Sequence, residues 1–239
     1  LSFNPPINSL IPTSNLNDAA TQIRSGDWNG DGIQDLMDIN YNTGINHFYI
    51  NNRFNNFSTN SLNAISTILL QNKYVYIADF NADGKSDVFA YYPFTGENYI
   101  FINNGNLNFT QITNPIPVQE IDGTNGTQLT PGDWNGDGLS DILWYDKNNG
   151  SNHWFTNNGN TTFTEISNPI NISQISGGTN IYPTDWNADG IVDLLWYDQT
   201  TGNTRCFINN NLFSFILTNN VITPSLLQNG TNIDLSDWN

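Results

Sequence analysis

One phrase returns along the whole chain. It reads GDWNGDGIQD from Gly26, ADFNADGKSD from Ala78, GDWNGDGLSD from Gly132 and TDWNADGIVD from Thr184, with a further Ser-Asp-Trp-Asn from Ser236. The leading aspartates Asp27, Asp79, Asp133, Asp185 and Asp237 stand 52, 54, 52 and 52 residues apart. A period of that size limits the chain to a few architectures, in which each repeat is one supersecondary unit that buries its apolar surface against its neighbours. Downstream of each phrase the copies align without a gap, from Asp35, Asp87, Asp141 and Asp193. Each has an apolar and aromatic run, a turn at Gly44, Gly96, Gly150 or Gly202, and a second aromatic run ending in Asn-Asn. Short β-favouring runs separated by Gly and Asn turns are hairpins. A third run follows near Phe57, Phe109, Phe163 and Phe213, and a fourth precedes the next aspartate, as in Thr127 to Pro131.

Four strands per repeat make a propeller blade. The expected fold is therefore all-β: a single propeller over residues 1–239, with four-stranded antiparallel blades at about 17–68, 69–122, 123–174 and 175–226. A partial outer strand is expected over 1–16, and a partial inner strand with an unfinished loop over 227–239. With those terminal strands unable to form a blade together, the chain is expected to be part of a longer propeller or to complete its ring with another copy. Helices are not expected, because the apolar windows are short, bounded by breakers and without a 3.6-residue period.

In each complete phrase the pattern is Asp-x-Asn-x-Asp-Gly-x-x-Asp. Side-chain oxygens at positions 1, 3, 5 and 9 and a carbonyl at position 7 can wrap a hard cation, with Gly at position 6 allowing the sharp turn. The expected ligands are Asp27, Asn29, Asp31, Ile33 and Asp35; Asp79, Asn81, Asp83, Lys85 and Asp87; Asp133, Asn135, Asp137, Leu139 and Asp141; and Asp185, Asn187, Asp189, Ile191 and Asp193. Ile33, Lys85, Leu139 and Ile191 enter through their carbonyls. The absence of His and Cys from the loops argues against zinc, and an expected coordination number of six to eight favours calcium over magnesium. About four calcium ions are expected. Position 12 is Asp38, Ala90, Trp144 or Trp196, never Glu, and the flanks are strands, so these are not EF-hands.

The net charge of −16, with 6 basic residues against 22 acidic ones, supports a cation-binding role. Three of the acidic residues are glutamates, and twelve of the remaining 19 aspartates occupy loop positions 1, 5 and 9. So few cations cannot build a phosphate footprint, which excludes nucleic acid as a natural partner. No apolar run is long enough to insert in a membrane. Scarce lysine and abundant Asn, Thr and Ser suit a secreted or cell-surface protein.

At these loops and at the continuations DILWYDKNNG and DLLWYDQTTG the chain resembles the FG-GAP or VCBS repeat family, closest in style to its bacterial and fungal lectin-type branch. The resemblance implies calcium between the first and second strands of each blade, and a role in adhesion, glycan binding or scaffolding without catalysis. The FG and GAP sequences of integrin blades are not present as such. Two readings follow. One is an extracellular glycan-binding or adhesion module with a glycan or protein ligand; the other is a structural or self-assembly module that forms homo-oligomers.

The aromatics directly after the leading aspartates (Trp28, Phe80, Trp134, Trp186 and Trp238) are expected to wedge between blades. Trp144 and Trp196 are expected in the core, and Cys206 as a buried, inert thiol. Trp154, with His153 beside it, is the expected sugar-stacking position. His47 and His153 share a repeat position with no nucleophile motif beside them, and Glu97, Glu120 and Glu165 show no paired spacing.

Overall fold

The computed structural model describes residues 18–52, 57–117, 127–175, 180–210, 214–219 and 222. The expected partial strands over 1–16 and 227–239 lie outside them. The chain packs as two compact units, Leu1–Val118 and Gln119–Asn239.

The first unit holds two blades, β1 (Thr21–Gly26), β2 (Asp35–Asn40), β3 (Asn46–Asn51) and β4 (Phe57–Leu62), then β5 (Tyr74–Ala78), β6 (Asp87–Tyr91), β7 (Asn98–Asn103) and β8 (Phe109–Thr113). The second unit repeats the plan with β9 (Thr127–Gly132), β10 (Asp141–Asp146), β11 (Asn152–Asn157) and β12 (Phe163–Ser167), then β13 (Asn180–Thr184), β14 (Asp193–Tyr197), β15 (Thr204–Asn209) and β16 (Phe215–Asn219). Each blade is a four-stranded sheet in sequence order, antiparallel throughout. The fold is thus all-β, built of propeller blades.

The second and third strands turn where the sequence places glycine. Gly44, Gly96, Gly150 and Gly202 all have positive φ, and their N–H groups close the turns on the carbonyls of Asn40, Tyr92, Asp146 and Asp198 at 2.7–3.0 Å. Two differences from the sequence reading are small. Single helical turns, α1 (Thr67–Leu70) and α2 (Ile172–Ile175), link one blade to the next, too short to show a helical period. The outer strand of the fourth blade pairs Phe215 with Asn209, as Phe109 pairs with Asn103, so Phe215 fills the place assigned to Phe213, which lies outside the described residues.

Each core lies between its two blades. In the first unit Trp28, Met37, Ile39 and Phe48 meet Val75, Val88, Ala90 and Phe101; in the second Trp134, Leu143, Tyr145 and Trp154 meet Ile181, Leu194, Trp196 and Phe207. The first strands also touch across blades through side chains: Arg24 Nε donates to Val75 O at 2.9 Å, and Gln128 brackets Ile181 with bonds of 2.7 and 3.1 Å. Blade stacking therefore combines apolar burial with hydrogen bonds that set the register.

Candidate functional site

Each Asp-rich loop joins the first and second strands of its blade. In the first loop Asp27 Oδ1 accepts from the N–H groups of Gly30 (2.7 Å) and Asp31 (3.1 Å), and its Oδ2 from Gly32 (2.7 Å). Asn29 Oδ1 accepts from Asp31 N at 2.9 Å and Asp31 Oδ1 from Ile33 N at 2.9 Å. The third loop reproduces this set with Asp133, Asn135 and Asp137, and the other two keep its main bonds. Local bonds of this kind hold Asp and Asn loops in one conformation.

Position 9 has a second duty. Asp35, Asp87, Asp141 and Asp193 are fully buried at the start of the second strands. One oxygen of each accepts the N–H of the last asparagine of the third strand, Asn51, Asn103, Asn157 or Asn209, at 2.7–2.8 Å. The other oxygen accepts from Trp28 N, Phe80 N or Trp186 N at 2.9 Å, and in the third blade from Trp154 Nε1 at 3.3 Å. Burial first, then the nearby loop carboxylates, push Asp87 up to about 6 and Asp141 up to about 7, against the pull of the donated N–H groups; Asp35 and Asp193 are raised for the same reason. Negative charge is crowded at every loop.

Asparagine also locks the blades together. Asn103 Nδ2 reaches into the first loop to donate to Trp28 O at 2.9 Å, and Asn209 Nδ2 donates to Trp134 O at 2.7 Å. Sequence reasoning missed this role, although the recurring Asn-Asn ending was its signal.

Carboxylates alone do not complete a metal centre. Among the described residues no three His, Cys, Asp or Glu side chains are gathered tightly enough to hold an ion. Each loop adds an amide oxygen and a peptide carbonyl, so its donor set is all hard oxygen with excess negative charge, which fits calcium chemistry. Lys85 differs from its counterparts: its Nζ lies 2.8 Å from Asp83 Oδ2 and places a positive charge in the second loop.

The loop backbone carries a testable strain. At position 4, Gly30 and Gly136 have φ of 78° and 76°, whereas Ala82 and Ala188 hold φ of 57° and 60°. A Cβ in this region costs about 1–2 kcal/mol, partly offset because glycine loosens the unfolded chain. Ala82→Gly and Ala188→Gly are each expected to stabilise the protein by about 0.5 kcal/mol in urea unfolding; a lower midpoint in both variants would contradict the strain.

The structure corrects the sugar-stacking assignment. Trp154 is 1% exposed, its ring packed between Trp134 (6.4 Å) and Phe215 (6.3 Å), so neither face is open to a ligand. Its column in the repeat holds Phe48, Ile100 and Cys206, all buried, because this face of the third strand turns into the core. His153 is half-buried, stacked on Phe155, with Nδ1 2.6 Å from Glu165 Oε1. Ser151 Oγ lies 3.4 Å from its Nε2, outside the range of an activating bond. His47 instead meets Asp38 at 2.7 Å, and Tyr49 donates to the same carboxylate at 2.6 Å. Trp28 and Trp134 are buried as expected, but Trp186 is 43% exposed. Trp144, Trp196 and Cys206 are buried, and burial pushes the thiol up to about 11.

Four-stranded blades with one Asp-rich loop between the first and second strands of each define a repeat β-propeller protein. The FG-GAP-like repeat matches residues 27–90, 79–144 and 133–196, more than half of the chain, and the chain belongs to that family. Among solved structures, a lectin of Agrocybe aegerita, described for its specific recognition of non-reducing terminal N-acetylglucosamine, is 18% identical with a TM-score of 0.66, over 83% of this chain and 51% of its own. A protein from Lactobacillus plantarum is 15% identical with a TM-score of 0.55, over 87% of this chain and 57% of its own. The Tc holotoxin pore of Photorhabdus luminescens is 17% identical with a TM-score of 0.53, over 85% and 10%. These likenesses show the fold, and this chain spans about half the length of the lectin. No curated protein matches the sequence. Among the described residues no helix is long and apolar enough to cross a membrane.

Proposed function

We propose that the chain is an extracellular calcium-binding propeller module that holds a glycan without chemical turnover. The observation that carries this reading is the fourfold recurrence of one oxygen-only loop, held in place by hydrogen bonds to its own backbone and crowded with carboxylates. In each loop the residues at positions 1, 3, 5, 7 and 9 would hold the ion. Bound calcium would neutralise the crowded charge and tie the first strand to the second. Lys85 makes the second loop the weakest of the four.

The glycan part draws on the lectin neighbour and on aromatic residues that form 13% of the chain. A glycan array probed with the calcium-loaded protein tests it: binding to a defined set of glycans is expected, and a blank array would refute it. A second reading, as an assembly module, is favoured by Trp186. Its counterparts Trp28 and Trp134 are covered by the next blade, while Trp186 is 43% exposed and suited to contact with another blade.

A further inference from the structure

At the hairpin end of the first unit, opposite the Asp-rich loops, four aromatic side chains come together. Tyr41, from the β2–β3 turn, lies 5.9 Å from Tyr74 at the start of β5, with the rings tilted by 38°. Tyr92 and Phe94, from the β6–β7 turn, lie 5.4 Å apart at 61°. Lys73, the chain neighbour of Tyr74, holds its Nζ 5.6 Å from the ring centre of Tyr92, which brings the two pairs into one neighbourhood. Tyr74 is 43% exposed and Phe94 60%.

The blade does not require the three rings of the second repeat, Tyr74, Tyr92 and Phe94. Asn40, Asp146 and Asp198 occupy the place of Tyr92 in the other repeats, and each accepts a backbone N–H two residues on, at 2.9–3.0 Å, to fix its turn. A tyrosine gives up that bond. The register puts Gln22, Gln128 and Asn180 where Tyr74 stands, and the turns put Asn42, Asn148 and Thr200 where Phe94 stands. One repeat in four thus replaces polar groups with exposed rings, at the expense of a turn bond, and exposed aromatic clusters mark binding surfaces.

Beneath the rings sits a fixed polar pair. Lys73 Nζ lies 5.6 Å from the ring centre of Tyr92, 5.5 Å from that of Tyr99, and 3.2 Å from Glu97 Oε2. Tyr99 donates its hydroxyl to the same glutamate. The lysine side chain is 7% exposed and the glutamate's 40%, so a carboxylate reaches the surface beside the rings. The two blades are pinned here by Asn72 N to Tyr41 O at 2.7 Å and Gln71 Nε2 to Asn42 O at 2.8 Å.

We infer that Tyr41, Tyr74, Tyr92 and Phe94, with Glu97 at their rim, form a platform for one pyranose ring of a glycan. The aromatic faces suit the apolar C–H face of the sugar, and the carboxylate and phenols suit its hydroxyls, in the pattern of a mostly apolar site with a few convergent polar groups. A lipid surface is disfavoured, because 6 basic residues against 22 acidic ones give no attraction to anionic headgroups.

This inference rests on the glycan-binding reading, and the experiment separates the two. The full chain with calcium is compared with Tyr74→Ala, Phe94→Ala and, as a control at an exposed apolar side chain of the second unit, Ile216→Ala, on a glycan array and by saturation-transfer NMR with glucose, galactose and mannose. Both platform variants are expected to weaken glycan binding at least tenfold with unchanged melting temperature, and Ile216→Ala to bind like the parent. Unchanged binding in both platform variants would overturn the platform and leave the glycan reading standing. A parent protein that binds no glycan would overturn both. If the platform variants instead abolish self-association and leave glycan binding intact, the surface is a protein interface and the inference is wrong.

Discussion

Gly44→Ala is expected to destabilise the first unit by about 3 kcal/mol or more. Gly44 has φ of 72°, where a Cβ costs about 1–2 kcal/mol on its own. The added Cβ would also stand 2.0 Å from Thr67 O and 2.9 Å from Gln71 N, both backbone atoms of the turn that α1 lays over the hairpin. Neither can swing away as a flexible side chain does, so the junction between the two blades has to shift. Gly32→Ala is the control, with φ of 79° and nothing within 4 Å of the new Cβ. Measured in chelator to remove any effect on ions, Gly32→Ala is expected to lower the melting temperature by roughly 2–6 °C and Gly44→Ala by roughly 10 °C, at about 2–4 °C per kcal/mol for a chain of this size. Equal losses would show that the close packing of the hairpin turn against α1 contributes nothing.

Removing calcium is expected to have the larger effect. Extracellular calcium modules bind with dissociation constants of roughly 0.1–1 mM. At about 1 mM calcium and a dissociation constant near 0.1 mM, each filled loop stabilises the folded chain by about 1.4 kcal/mol, and four by about 6 kcal/mol. Excess chelator should then lower the melting temperature by roughly 10–20 °C. The structural reason lies in the ninth-position aspartates. Asp87 and Asp141 are pushed up to about 6 and about 7 because they are buried beside other carboxylates, and a cation relieves that repulsion. An identical melting curve with and without chelator would contradict the account.

Much of this architecture was legible in the sequence for a physical reason. The repeat fixes the blade period, and its Gly turns and Asp loops are local features whose conformation depends on residues a few positions apart. Asp27 bonding to the N–H groups of Gly30 and Gly32 is such a case. Features set by packing between blades were harder to see. Trp154 has the composition of a sugar platform, and only the approach of Trp134 and Phe215 reveals it as core. The lock from Asn103 to Trp28 joins residues 75 apart, which no local pattern specifies. Tyr41, Tyr74, Tyr92 and Phe94 are scattered along the sequence, and two turns and a strand start from successive blades bring them together. Comparing the repeats column by column gave the available hint, because the columns of Tyr74, Tyr92 and Phe94 are polar in the other copies.

The claim that the repeated loops are calcium sites is tested most directly by counting ions. Isothermal titration of chelator-stripped protein with calcium is predicted to give four ions per chain, with the site carrying Lys85 filling last. Titration that detects no calcium binding, or that saturates at a single ion, would contradict it.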